Sequence, residues 1–183
     1  MGMWAIRRQV SIAAPAEAVW AYVGVPELLS RWWCPPPAVR LTFEPYPGGR
    51  FEERYDDGQL AYRVEGTMLA YEPPRRWAVR RLTPGSPAPA DVIEITLREE
   101  GRRTRVVLRH AFEGLPPDRR RDMAESFAQP WSDALRALRG LATVAGRRAP
   151  ATPGPGWHRS PRSGGPSPGA KEARRRRPGR GVR

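Results

Sequence analysis

The chain has 183 residues, a formal net charge of +13 and a single cysteine, Cys34. One cysteine excludes an intrachain disulfide, no run of about 18 apolar residues is present to cross a bilayer as a helix, and the first residues lack the basic-then-apolar order of a signal peptide. The charge is uneven. Residues 147–183 hold eleven basic residues against one acid, Glu172, so the first 146 residues are close to balance. Only one basic residue is lysine, Lys171, and there is no asparagine. That bias points to a GC-rich coding sequence and weakens any argument that each arginine is selected for binding.

Trp4–Ile12 reads as a first strand. Ala14-Pro15-Ala-Glu17 then starts a helix, since proline suits the first turn and an early glutamate complements the dipole. Val19, Trp20 and Val23 share one face of it, and Gly24 ends it. Pro26 opens a second short helix through Leu28, Leu29 and Trp32, which Pro35-Pro36-Pro37 stops. The next stretch alternates strand and turn. Strands are expected over residues 38–43, 50–55, 59–71, 75–82, 92–98 and 104–111, with turns at Gly48-Gly49, Asp56-Asp57-Gly58, Pro73-Pro74 and Gly101. Residues 84–90 read as a Pro/Gly/Ser loop. Met123, Phe127, Trp131, Leu135, Leu138 and Leu141 keep a helical stripe. Pro130 interrupts it, and the preferred reading ends one helix near Gln129 and starts the main one at Pro130. From Gly146 periodicity is lost. Residues 147–183 contain seven prolines and seven glycines. Such a composition cannot bury enough apolar surface to offset its ordering entropy, so 146–183 is expected to be a disordered basic tail.

Alternation selects the side chains that share a face. Ile93, Ile95 and Leu97 do so, as do Val106, Leu108 and His110; Phe51, Glu53 and Tyr55; and Trp77, Val79 and Arg81. The expected pocket is Trp32, Trp33, Phe51, Tyr55, Tyr62, Val64, Trp77, Ile95, Leu108, Phe127 and Trp131, with Glu53, Arg81 and His110 as its polar members. The bland readings stand beside it. Trp20 and Trp131 are core, Trp32-Trp33 packs under the sheet mouth, and His110 is a half-exposed strand-end residue. Glu53 and Arg81 then pair or face solvent, because neither stays buried unpaired.

Catalytic constellations are scarce. The two histidines are His110 and His158, too few with Cys34 for a Cys/His zinc site. No phosphate loop, dinucleotide fingerprint or Gly-x-Ser-x-Gly elbow occurs. No metal or cofactor is expected, and His110 is the one candidate for a catalytic role. Arg174–Arg177 could meet a phosphate backbone by charge alone. Trp157 is the tail's only aromatic, too little interleaving for base stacking, and a solvated extension is the preferred reading over nucleic-acid contact.

The segments Pro15-Ala-Glu-Ala-Val-Trp20, Leu29-Ser-Arg-Trp32-Trp33, Gly48-Gly49-Arg50-Phe51, Gly66-Thr-Met-Leu69, Tyr71-Glu-Pro-Pro-Arg-Arg76 and Trp131-Ser-Asp-Ala-Leu135, in this order, resemble the helix-grip (START, Bet v 1-like, SRPBCC) superfamily. Within it they are most similar to the family homologous to the C-terminal domain of the heat-shock-protein-90 ATPase activator. The resemblance implies an α+β helix-grip domain over residues 1–145. Two short helices follow its first strand, and a curved antiparallel sheet of six to seven strands wraps a long C-terminal helix. It also implies a cavity between sheet and helix for a hydrophobic or aromatic small molecule. The expected function is non-catalytic binding in a cytoplasmic protein, with a homodimer open. The alternatives are a cyclase, aromatase or hydrolase-like enzyme with His110 as general acid/base, and a co-chaperone. Fold transfers better than function.

Overall fold

The structure is a computed structural model that describes residues 5–33, 39–82 and 90–148. Its elements in chain order are β1 (Ile6–Ile12), α1 (Ala16–Gly24), α2 (Pro26–Leu29), β2 (Val39–Phe43), β3 (Arg50–Asp56), β4 (Ala61–Glu72), β5 (Arg76–Leu82), β6 (Asp91–Glu100), β7 (Arg103–Phe112) and α3 (Pro117–Arg148). The strands form one antiparallel sheet in the order β1-β7-β6-β5-β4-β3-β2. The expected readings of Trp4, Cys34–Ala38, the 84–89 loop and the tail lie outside the described residues.

The sheet is a meander from β2 to β7, with β1 added beside β7. Tight turns make this possible. Gly48, Gly58 and Gly101 adopt positive φ between strands, where side-chain-bearing residues are strained. The helices between β1 and β2 are held from outside. The Glu99 carboxylate of β6 accepts from the Ala16 amide at 2.9 Å, satisfying a first-turn donor that Pro15 leaves uncapped. Ser30, just after α2, accepts from the Leu41 amide at 3.0 Å. That contact satisfies a backbone group on the sheet's β2 edge, where an unpaired amide invites strand addition.

Two expectations are corrected. The second helix ends at Leu29 rather than Trp32. The C-terminal helix does not split at Pro130 but runs unbroken for 32 residues with the proline inside it. The cost of passing through is contained. Pro130 removes one amide, whose partner would be the carbonyl of Ser126, and both residues are exposed, so water serves that carbonyl. Packing holds the rest. Trp131, Ala134, Leu135, Leu138 and Ala142 are buried. Arg8 of β1 donates to the Ala128 carbonyl at 3.4 Å and the Ser132 hydroxyl at 3.2 Å, on either side of the proline.

Burial along α3 is lopsided. Before Trp131 its apolar stripe is only half-buried, at Met123, Ala124 and Phe127. After Trp131 the stripe enters the core. The first half of the helix therefore buries less of its apolar stripe than the second. No described helix is long and apolar enough to cross a membrane.

Candidate functional site

Strand register builds a polar row across the inner face. Arg81 of β5 stands opposite Asp91 of β6 and opposite Gly66 of β4. Ile93, two residues after Asp91, stands opposite His110 of β7. Gly66 also pairs with Phe51 of β3. A Cβ at Gly66 would meet the Arg80 carbonyl at 2.5 Å and the Phe51 and Val79 side chains at 3.2 Å. The bare backbone at Gly66 thus leaves room for the Phe51 and Val79 side chains beside the row.

Arg81 donates through Nη1 to Glu53 at 2.7 Å, and through Nε and Nη2 to the two oxygens of Asp91 at 2.8 and 2.9 Å. The Asp91 contact is the two-pronged geometry that guanidinium and carboxylate share. Glu53 further accepts from Trp33 Nε1 at 3.0 Å and Tyr62 Oη at 3.2 Å. Glu53 is 2% exposed, Arg81 7% and His110 0%. Burial works against the charge on Arg81, but the Asp91 and Glu53 carboxylates outweigh it and hold its pKa above the ordinary value. Burial likewise opposes the charge on Asp91, and Arg81 overcomes this, lowering its carboxyl to about 2.

His110 closes the row. Trp131 Nε1 of α3 donates to its Nδ1 at 3.1 Å. With Nδ1 an acceptor, the neutral ring carries its proton on Nε2. Nε2 lies 3.3 Å from Asp91 Oδ2, yet is not aligned as a hydrogen bond. The contact is therefore electrostatic attraction without full donor–acceptor geometry. Burial lowers the His110 pKa, and Asp91 only partly offsets it. A second proton on Nδ1 would also point donor against donor at Trp131.

Beside the row stands an aromatic cluster centred on Trp33. Its ring meets Trp131 at 5.1 Å, Trp77 at 5.4 Å, Trp32 at 6.2 Å and Phe51 at 6.4 Å. The Arg81 guanidinium carbon sits 5.7 Å from the Trp33 ring centroid, within cation–π range. Trp32 is tied separately, donating to the Tyr22 carbonyl at 2.7 Å.

The sequence-predicted residues fall into two groups. Trp32, Trp33, Phe51, Trp77, Ile95, Leu108, Trp131 and Val64 are buried in the packed interior. Tyr55, Tyr62 and Phe127 are half-buried. Tyr55 and Tyr62 stack at 5.0 Å where β3 meets β4, and Phe127 stands edge-on to His110 at 5.1 Å. Glu53, Arg81 and His110 do come together. His110 is fully buried rather than half-exposed, because Phe112, Phe127 and Trp131 surround its ring. Sequence reasoning missed Asp91, although the signal was present. The alternation of Ile93, Ile95 and Leu97 extends back by two to place Asp91 on the same face.

A groove of about 370 Å³ lies at β2, β3 and β4, lined by Thr42, Glu44, Arg50, Glu52, Arg63 and Glu65 together with Phe43, Phe51 and Gly66. Its charges are largely matched, with Arg63 bridging Glu52 at 2.7 Å and Glu65 at 2.8 Å. No group of histidine, cysteine or carboxylate side chains able to hold a metal occurs among the described residues.

Residues 13–143 match the family described as Activator of Hsp90 ATPase homolog 1-like protein. The chain belongs to that family. Solved structures share its fold. A protein from Nitrosomonas europaea is 21% identical with a TM-score of 0.65, over 76% of this chain and 94% of its own. One from Arthrobacter aurescens is 20% identical with a TM-score of 0.63, over 75% of this chain and 85% of its own. CalU16 from Micromonospora echinospora is 25% identical with a TM-score of 0.56, over 75% and 74%. No curated protein sequence matches the chain. The match to the Hsp90-activator-homologue family starts after β1 and ends within α3. It therefore contains Trp33 and every residue of the polar row.

Proposed function

We propose that this protein binds an apolar or aromatic small molecule between the inner face of its sheet and the first half of α3, and performs no chemistry on it. One observation carries the reading. A polar row on the inner face, buried at Glu53, Arg81 and His110, ends at His110, which Phe127 of the half-buried first half of α3 meets edge-on at 5.1 Å. Burying ionisable groups in a domain core costs stability unless each is paired. Apolar walls with a few fixed polar groups are also the usual make-up of a ligand site. Tyr55, Tyr62 and Phe127 form the accessible rim, and Glu53, Arg81 and Asp91 orient what enters.

The state of His110 favours binding over catalysis. Its Nδ1 is occupied by Trp131, its pKa is lowered by burial, and no face of the ring is exposed. A general base must reach the proton that it removes. The lone thiol Cys34 accords with a reducing cytoplasm, where we place the protein.

The test is organic extraction and mass spectrometry of the purified full chain. An apolar molecule should co-purify with the wild type and be lost from Phe127→Arg, which sets a charge at the rim beside His110, with circular dichroism checking that the variant is folded. The reading falls if the wild type carries nothing and also leaves a fluorescent naphthyl probe unbound. Retention of the same molecule by Phe127→Arg would remove the assigned location.

A further inference from the structure

We propose that the indole N–H of Trp77 recognises the ligand, and that the ligand is an uncharged, largely aromatic molecule bearing a hydrogen-bond-accepting oxygen such as a ketone, quinone or ether. This inference rests on the ligand-binding reading above.

Trp77 is fully buried, at 0% exposure, yet its Nε1 has no hydrogen-bond partner among the described residues. The neighbouring indoles are all satisfied. Trp32 donates to the Tyr22 carbonyl, Trp33 to Glu53 and Trp131 to His110. Native interiors leave very few donors unmade, because a buried N–H without an acceptor forfeits its hydration for nothing. Tyr71, its cross-strand neighbour, turns its hydroxyl to the Gly24 carbonyl instead, and no oxygen among the described residues stands in hydrogen-bonding position to the indole. The rings of Trp33, Phe43 and Phe51 stand edge-to-face with it at 5.4, 5.9 and 6.0 Å. A ring face is a weak acceptor, so a ligand oxygen that replaces it gains a full hydrogen bond.

Access and charge narrow the chemistry. Phe43 is half-buried, so the cluster meets solvent one ring away from Trp77. An aromatic body suits the surrounding rings. The same interior holds two carboxylates, Glu53 and Asp91, against the single guanidinium of Arg81, with His110 neutral. This excess negative charge repels a carboxylate ligand. An ammonium group has no acceptor to offer the Trp77 N–H. A neutral oxygen satisfies both conditions.

The test uses the full chain, isotope-labelled at the indole nitrogens, titrated with three probes of one shape: ethylnaphthalene, acetonaphthone and naphthoate. The ketone should bind at least about tenfold tighter than the hydrocarbon, a step that corresponds to one added hydrogen bond. It should also move the Trp77 indole proton downfield, which the hydrocarbon should not do. Naphthoate should bind more weakly than the ketone. Trp77→Phe should abolish the ketone's advantage and keep hydrocarbon binding. If that variant does not fold, the wild-type indole shift decides alone. Equal binding of ketone and hydrocarbon, or a Trp77 signal unmoved by the ketone, overturns the inference and leaves ligand binding standing. Failure of all three probes to bind a wild-type chain from which no molecule co-purifies overturns both.

Discussion

His110 is held neutral by what surrounds it, and that has a measurable consequence. Its folded-state pKa is lowered by burial, so below its ordinary value near 6.5 the unfolded chain binds a proton that the folded chain refuses. Stability therefore falls as pH drops through that range. Asp91 acts further down. Its pKa is lowered from 3.8 to about 2, so its contribution is whole above the unfolded value and is lost between the two, roughly 2 kcal/mol in all. Chemical denaturation at a series of pH values should show two successive losses, the first below about pH 6.5. Asp91→Asn should shrink the lower one, to which Glu44, Glu52 and Asp57, also held below the ordinary carboxylate range by hydrogen bonds, contribute as well. A stability curve flat from pH 7 to pH 5 would contradict the neutral, Trp131-bonded state of the ring. At this scale the sequence was partly legible. Strand parity put Glu53, Arg81 and His110 on the inner face. It could not show that Arg81 takes two carboxylates at once, because the second pairing depends on register between β5 and β6.

Elements were legible where one periodicity dominated. The alternation in β6 and β7 and the stripe in α3 identify those elements from local sequence, and the glycine turns fix the meander between them. Pro130 is the instructive exception. Local propensity predicts a break at an interior proline, yet α3 continues, because Arg8 and the buried run from Trp131 to Ala142 hold the helix on both sides. Tertiary packing here outweighs one lost hydrogen bond. Pro130→Ala restores that bond at an exposed position and should stabilise the protein by roughly 1–3 kcal/mol, measured by urea denaturation. A loss of stability instead would mean that a bend fixed by the proline is needed to seat Trp131 against Trp33 and His110.

At the scale of the whole molecule, the basic excess and the folded domain are separable in the sequence. We propose from its composition that the tail adds nothing to the core; the polar row and aromatic cluster both lie before residue 132. Truncation after Arg148 should therefore shift Tm by less than about 2 °C, below the change that 1 kcal/mol produces in a domain of this size. It should leave ligand co-purification intact. A larger drop would place part of the tail in the fold.

Sequence alone determined the class of fold, the order of its strands and which face of β3 to β7 turns inward, because turn chemistry and periodicity are local properties. It also bounded the chemistry: one cysteine, two histidines and no phosphate-binding loop. Only the tertiary structure decided how the inward-facing groups are used. The Glu53–Arg81–Asp91 network needs β3, β5 and β6 brought into register, with β4 pairing between β3 and β5. The tautomer of His110 is set by an indole from the opposite layer. The unmatched N–H of Trp77 becomes meaningful only once its neighbours are seen to be rings. Each is a contact between residues far apart in the chain, where no spacing rule reaches.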